Sequence, residues 1–197
     1  MITYTLPFMI LLHFVLLSLV VLGSGMIGFT NKKRKMITFI GYGITLFATI
    51  LIFVIVFFPF PVDAEEISFN IENQYGQMNN FIPFKSIFFY IKDAVSGYYS
   101  TFMRQVLGNI ILFFPYGVGL YIFLSNNQKK LFKTIILSFL TSISIEIMQG
   151  VYSLLLGYTY RSIDFDDLIL NTLGGIAGYF TAKLLYLFLF PKTKQHN

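Results

Sequence analysis

The chain has 197 residues, of which 56% are hydrophobic and only 12% charged, and its mean hydropathy is +0.72. Soluble domains carry roughly 25% charged residues, so composition points to a polytopic membrane protein with one domain's worth of chain. Zero cysteines exclude disulfides, thiolate metal sites and cysteine nucleophiles, and the net charge of +5 is placed in a way that argues against a nucleic-acid partner.

Hydrophobic runs near 3–28, 36–59, 105–125, 134–157 and 168–190 reach the ~20 residues a helix needs to cross the hydrocarbon core. The first lacks a basic leading region and a clear small-residue cleavage site, so it reads as a span and not as a removed signal peptide. The linker after it carries Lys32, Lys33, Arg34 and Lys35. Lys129, Lys130 and Lys133 follow the third run, and Lys192 and Lys194 lie in the tail. None of these three segments contains Asp or Glu, and the positive-inside rule places all of them in the cytoplasm. The expected protein is multi-pass, with its N-terminus outside and its C-terminus in the cytoplasm. With no Trp, tyrosine is left to form any interfacial belt.

Two segments then face outward, 60–104 and the hairpin 158–167, and they hold every acidic residue except Glu146. Pro59, Pro61 and the acidic stretch from Asp63 to Glu66 read as a solvated turn region. From Pro83 onward Phe84, Phe88, Ile91 and Val95 recur at helical spacing, with Lys85, Lys92, Asp93 and Ser96 off that stripe. This predicts an amphipathic helix in the outer interface or an ordinary loop helix. The fold class is all-α, a polytopic membrane bundle of about five transmembrane helices plus that outer helix. Its parts are 1–59 (two N-terminal spans), 60–104 (extracytoplasmic), 105–190 (a three-helix core) and 191–197 (a cytoplasmic tail).

Chemistry concentrates in two clusters, Ser142–Gln149 and Arg161–Gly175. An ionisable residue within a bilayer costs several kcal/mol or more, so it marks a functional site by default. Glu146 and Gln149, three apart, share a helix face with Ser142 and Ser153. Glu146 lies ~16 Å below the end of its span, where it must pair or protonate. It either serves a site or, hydrogen-bonded, fixes helix packing. Asp167, Asn171, Gly174 and Gly178 form one stripe: Gly174 and Gly178 make a close-packing GxxxG, with Asn171 one turn into the membrane and Asp167 at its lip. Asn109, Phe113 and Gly117 make a similar stripe on the third span, with Pro115 a source of a kink. Short linkers favour adjacency of the last three spans, which would let Asn109, Glu146 and Asn171 converge.

Arg161 suits a phosphate or a carboxylate, and Asp164, Asp166 and Asp167 are spaced either to hold a divalent cation or to form a turn and cap the fifth span. Pairing of Arg161 with one of them is a further alternative. Lys183 is expected to snorkel to the cytoplasm. His13 and His196 have no partners at ligand spacing, and no phosphate loop, nucleophile elbow or HExxH occurs. No metal ligand set, catalytic nucleophile or cofactor is therefore assigned.

NFIPF (Asn80–Phe84), NIILFFPYGVGL (Asn109–Leu120), SISIEIMQ, RSIDFDDLILNTLGG and the trailing Gly178 together resemble the VanZ-like family of bacterial membrane proteins, over roughly residues 80–180. The resemblance implies that Asn109, Glu146, Gln149, Arg161, Asp164, Asp167 and Asn171 are the family's polar positions. It also implies a link to low-level resistance against teicoplanin, an acylated glycopeptide, unlike vancomycin. The expected function is non-enzymatic engagement, at those residues, of a membrane lipid, a lipid-linked cell-wall intermediate or a lipoglycopeptide antibiotic at the outer leaflet. An intramembrane enzyme acting on a lipid-linked phosphate or glycan, and a proton-coupled transporter with Glu146 as the proton site, are the alternatives.

Overall fold

The structure is a computed structural model that describes residues 32–76, 78–124 and 128–189; the expected first span and the tail lie outside them. Its helices are α1 (Lys32–Phe57), α2 (Ala64–Glu72), α3 (Lys85–Val95), α4 (Tyr99–Phe123), α5 (Lys130–Leu156) and α6 (Phe165–Leu189). Among the described residues, α1 (from Met36), α4, α5 and α6 are long and apolar enough to cross a membrane, and the fold is an all-α membrane bundle.

Glycine sets the packing. A Cβ at Gly174 would strike the Ile110 carbonyl and one at Gly178 the Phe114 carbonyl, while one at Gly117 would strike Gly175. The GxxxG of α6 therefore takes α4 as its partner, and the rising numbers on both sides make the two helices parallel. Without a hydrophobic driving force between helices in lipid, this close approach is what holds them together. Gly41 against Phe123 and Gly119 against Thr45 place α1 antiparallel to α4. Asn171 bonds Ser142 and Gly175 lies against Ser138, which sets α5 antiparallel to α6 and so to α4; Tyr116 bonds Thr141 at 2.9 Å between α4 and α5. Pro115 lies inside a continuous α-helix over Gly108–Phe123. The departure from α geometry comes earlier, as a π-helical turn over Met103–Leu107.

The core lies between α1, α4 and α5, where Phe53, Phe57, Phe113, Leu120, Ile145 and Tyr152 are buried. Phe57, Phe60, Tyr152 and Tyr160 form a run of ring contacts towards one end of it.

The acidic stretch expected as a turn region is a helix. Asp63 caps α2 by accepting the Glu65 N–H at 2.9 Å, and Glu65 and Glu66 lie in the first turn, where the helix dipole favours negative charge. At the N-cap of α3 and along it, Phe84, Phe88, Ile91 and Val95 are all exposed, so the apolar stripe points away from the protein.

The segment after α5 does not stay above the bundle. Gly157 ends α5 in the left-handed conformation (φ +81°), the usual device for stopping a helix. The chain then descends alongside α5. Ser153 Oγ bonds the Arg161 carbonyl (3.1 Å), Ile163 lies against Gly150, and the Asp164 N–H donates to Glu146 Oε2 (2.8 Å). The geometry closes: seven residues of helix from 153 to 146 rise ~10 Å, and three extended residues from 161 to 164 cover ~10 Å. Asp167 and Asn171 accordingly lie level with Ser142, several turns below the end of α5, and not at the lip. Irregular backbone at such depth survives only where protein or a cavity satisfies it.

Candidate functional site

Side chains and a second connecting segment supply that satisfaction. Asn80 donates its N–H to the Ile163 carbonyl (2.8 Å) and accepts the Phe165 N–H (2.9 Å), an isolated parallel bridge. The Ile163 N–H goes to Asn79 Oδ1 (2.9 Å). Asp164 works as a hub: Oδ1 accepts Asn80 Nδ2 (2.8 Å) and the Asp166 N–H (2.8 Å), and Oδ2 accepts the Ser86 hydroxyl (2.7 Å). Asp164, and not Asp166 or Asp167, is therefore the residue that caps α6. Asp166, 1% exposed, caps a different helix. Its carboxylate takes the Phe84 N–H and the Ile87 N–H (3.0 Å) at the start of α3, whose own N-cap residue supplies no side-chain bond.

Beneath this clasp is a cavity of about 610 Å³. All seven residues singled out in the sequence, Asn109, Glu146, Gln149, Arg161, Asp164, Asp167 and Asn171, line it. Asn109 donates to Asp167 Oδ1 (2.5 Å), which ties α4 to α6. Asn171 Nδ2 donates to Ser142 Oγ (2.8 Å), which ties α6 to α5. Two amide oxygens in the wall, Gln149 Oε1 and Asn171 Oδ1, are buried without a hydrogen-bond partner, in residues 8% and 4% exposed. Orphaned acceptors of this kind are uncommon in folded proteins and call for a donor.

Arg161 reaches the cavity from the descending segment. Its guanidinium meets the Phe58 carbonyl (3.3 Å) and the Tyr160 ring (5.2 Å to the centroid), and its Nε is buried and unpartnered. The expected alternative, a turn-forming pair with an aspartate, is not the contact it makes. Among the described residues no group of three or more Asp, Glu or His is placed to share a metal ion. Lys183 is exposed, over the Phe180 ring, well along α6 from Glu146.

Several lining residues escaped the sequence reading. Arg104 and Gln105, both exposed, project from the π turn of α4, and Tyr90 comes from α3. A π turn at a cavity wall often marks a functional position, but sequence does not announce one. The Tyr90 phenol is pushed above its ordinary 10.0, first by burial and then by Asp164, Asp167, Asp166 and Asp93. Ser162 apart, the rest of the lining is apolar. Leu51 and Ile55 from the last two turns of α1 and Ile111 from the middle of α4 border the cavity and are exposed. The arrangement can therefore take a molecule that is polar at one end, with both donors and acceptors, and apolar at the other.

The VanZ/LLP1 family model matches residues 45–187. That stretch contains every residue lining the cavity and starts well before the 80–180 of the resemblance, so the second half of α1 belongs to the shared region. No curated protein and no solved structure matches the chain. With the match extending over well over half its length, the chain belongs to the VanZ/LLP1 family.

Proposed function

We propose that this membrane protein is a binding protein of the bacterial cell envelope, and not an enzyme. In this reading it holds the polar head of a membrane lipid, or of a lipid-linked cell-wall intermediate, at the outer leaflet. The observation that carries the proposal is the two-sided lining of the cavity. Arg161 and the orphaned oxygens of Gln149 and Asn171 offer polar recognition, while Leu51, Ile55 and Ile111 are exposed on helices of membrane-crossing length. Exposed apolar side chains there face lipid tails, so an acyl chain can lie along α1 and α4 while its head enters the cavity. Glu146, Asp164 and Asp167 each accept protein hydrogen bonds, which holds the polar end of the lining in place.

The outward orientation rests on charge. Lys129, Lys130 and Lys133 lie where α5 begins, and residues 32–35 where α1 begins, both at the end of the bundle away from the cavity. A positive-inside arrangement leaves the cavity on the opposite side. An acylated glycopeptide would meet such a site at the membrane, whereas one without an acyl chain would not. The test is teicoplanin and vancomycin susceptibility in a sensitive Gram-positive host expressing no gene, the wild type or Arg161→Ala at matched membrane levels. Selective protection against teicoplanin, lost in Arg161→Ala, is expected. Protection undiminished by Arg161→Ala would remove the cavity from the mechanism, and none from a well-expressed wild type would remove the antibiotic from the proposal.

A further inference from the structure

We infer that the head group taken by the cavity is a phosphodiester that also carries its own hydrogen-bond donors, hydroxyl or ammonium. This rests on the amphiphile-binding reading and specifies it. Two of the chain's three arginines, Arg104 and Arg161, line this one cavity, from α4 and from the descending segment. Guanidinium groups bind phosphate oxygens in a planar, bidentate way, and the buried Arg161 Nε–H is a donor without an acceptor. A bare phosphate does not fit the rest of the wall. Gln149 Oε1 and Asn171 Oδ1 are acceptors without donors, and a phosphate dianion has nothing to give them. Three acidic side chains, Glu146, Asp164 and Asp167, share the lining and add no cation to it. A head with phosphate at one side and N–H or O–H groups at the other answers both demands. The phosphate faces the arginines, and the donors face the amide oxygens and carboxylates. Both a glycerophospholipid head and a polyprenyl-phosphate sugar carry this chemistry.

Native mass spectrometry of the purified full chain in a neutral detergent separates the possibilities. The probes are phosphatidylglycerol and phosphatidylethanolamine (phosphodiester with donors), phosphatidylcholine (phosphodiester without donors), diacylglycerol (no phosphate) and a polyprenyl-phosphate sugar. Retention of the donor-bearing phosphodiesters about tenfold or more above both phosphatidylcholine and diacylglycerol is expected, as charge-assisted bonds are made or missed. Arg104→Gln, a change at an exposed position, should abolish the advantage over diacylglycerol. Gln149→Leu should abolish the advantage over phosphatidylcholine. Competition between phosphatidylglycerol and the polyprenyl-phosphate sugar then identifies the source, and preference for either is consistent with the shared chemistry. Equal retention of diacylglycerol and phosphatidylglycerol overturns the inference but keeps the amphiphile reading. Retention of none of the probes overturns both.

Discussion

Glu146→Ala removes the acceptor of the Asp164 N–H, a 2.8 Å bond to a side chain only 5% exposed. The truncation also leaves no room for the descending segment to find a substitute, because its neighbouring groups are committed to Asn79, Asn80 and Ser153. A buried N–H left unpaired costs about 1–3 kcal/mol. For a chain of this size that corresponds to a fall of ~2–12 °C in the melting temperature. Glu146→Gln keeps an amide oxygen at the same reach and is expected to lose less than about 1 kcal/mol. Thermal unfolding of the two variants in the same detergent, followed by circular dichroism, makes the comparison. Wild-type stability in Glu146→Ala, or equal damage from both substitutions, would refute the role given to this carboxylate.

Other outcomes follow from the same geometry. Asp166→Ala strips two N–H partners from the start of α3 and should cost about 1–2 kcal/mol, read as faster amide exchange over 84–95 with α4–α6 protection unchanged. Gly178→Leu drives a side chain into the Phe114 carbonyl and should prevent assembly of the α4–α6 pair, seen as loss of monodisperse protein on size exclusion. Tyr90, held above its ordinary 10.0, lends α3 docking a contribution that is complete below pH 10.0 and is lost as pH rises through the elevated value. Tyr90→Phe should therefore flatten the alkaline loss of α3 protection, and an unchanged alkaline profile would contradict it.

What the sequence revealed was set by periodicity and cost. Hydropathy placed the spans corresponding to α1, α4, α5 and α6 within several residues, and the spacing of Gly174 and Gly178 announced a close helix partner. The burial cost of Glu146, Gln149 and Asn171 marked them before any geometry was known. The pairing of Asn80 with Asp164 across 84 residues was not legible, because a single extended bridge has no periodic signature. The descent after Gly157 was hidden for the same reason, and so Asp167 was expected several turns too high. Helix α2 follows directly on Pro59 and Pro61, whose turn signal masks the N-cap signal of Asp63 two residues before Glu65. Arg104 lies at the junction of loop and span, where an arginine ordinarily needs no explanation.

Photocross-linking in vesicles tests head-group binding most directly. The probe is a phosphatidylglycerol whose photoreactive group is on the head, followed by peptide mapping. Cross-links concentrated in 104–112, 145–149 and 161–171, and suppressed by unlabelled lipid, are predicted. Cross-links spread evenly over both ends of the bundle, with no saturable component in those peptides, would contradict the cavity as a lipid site.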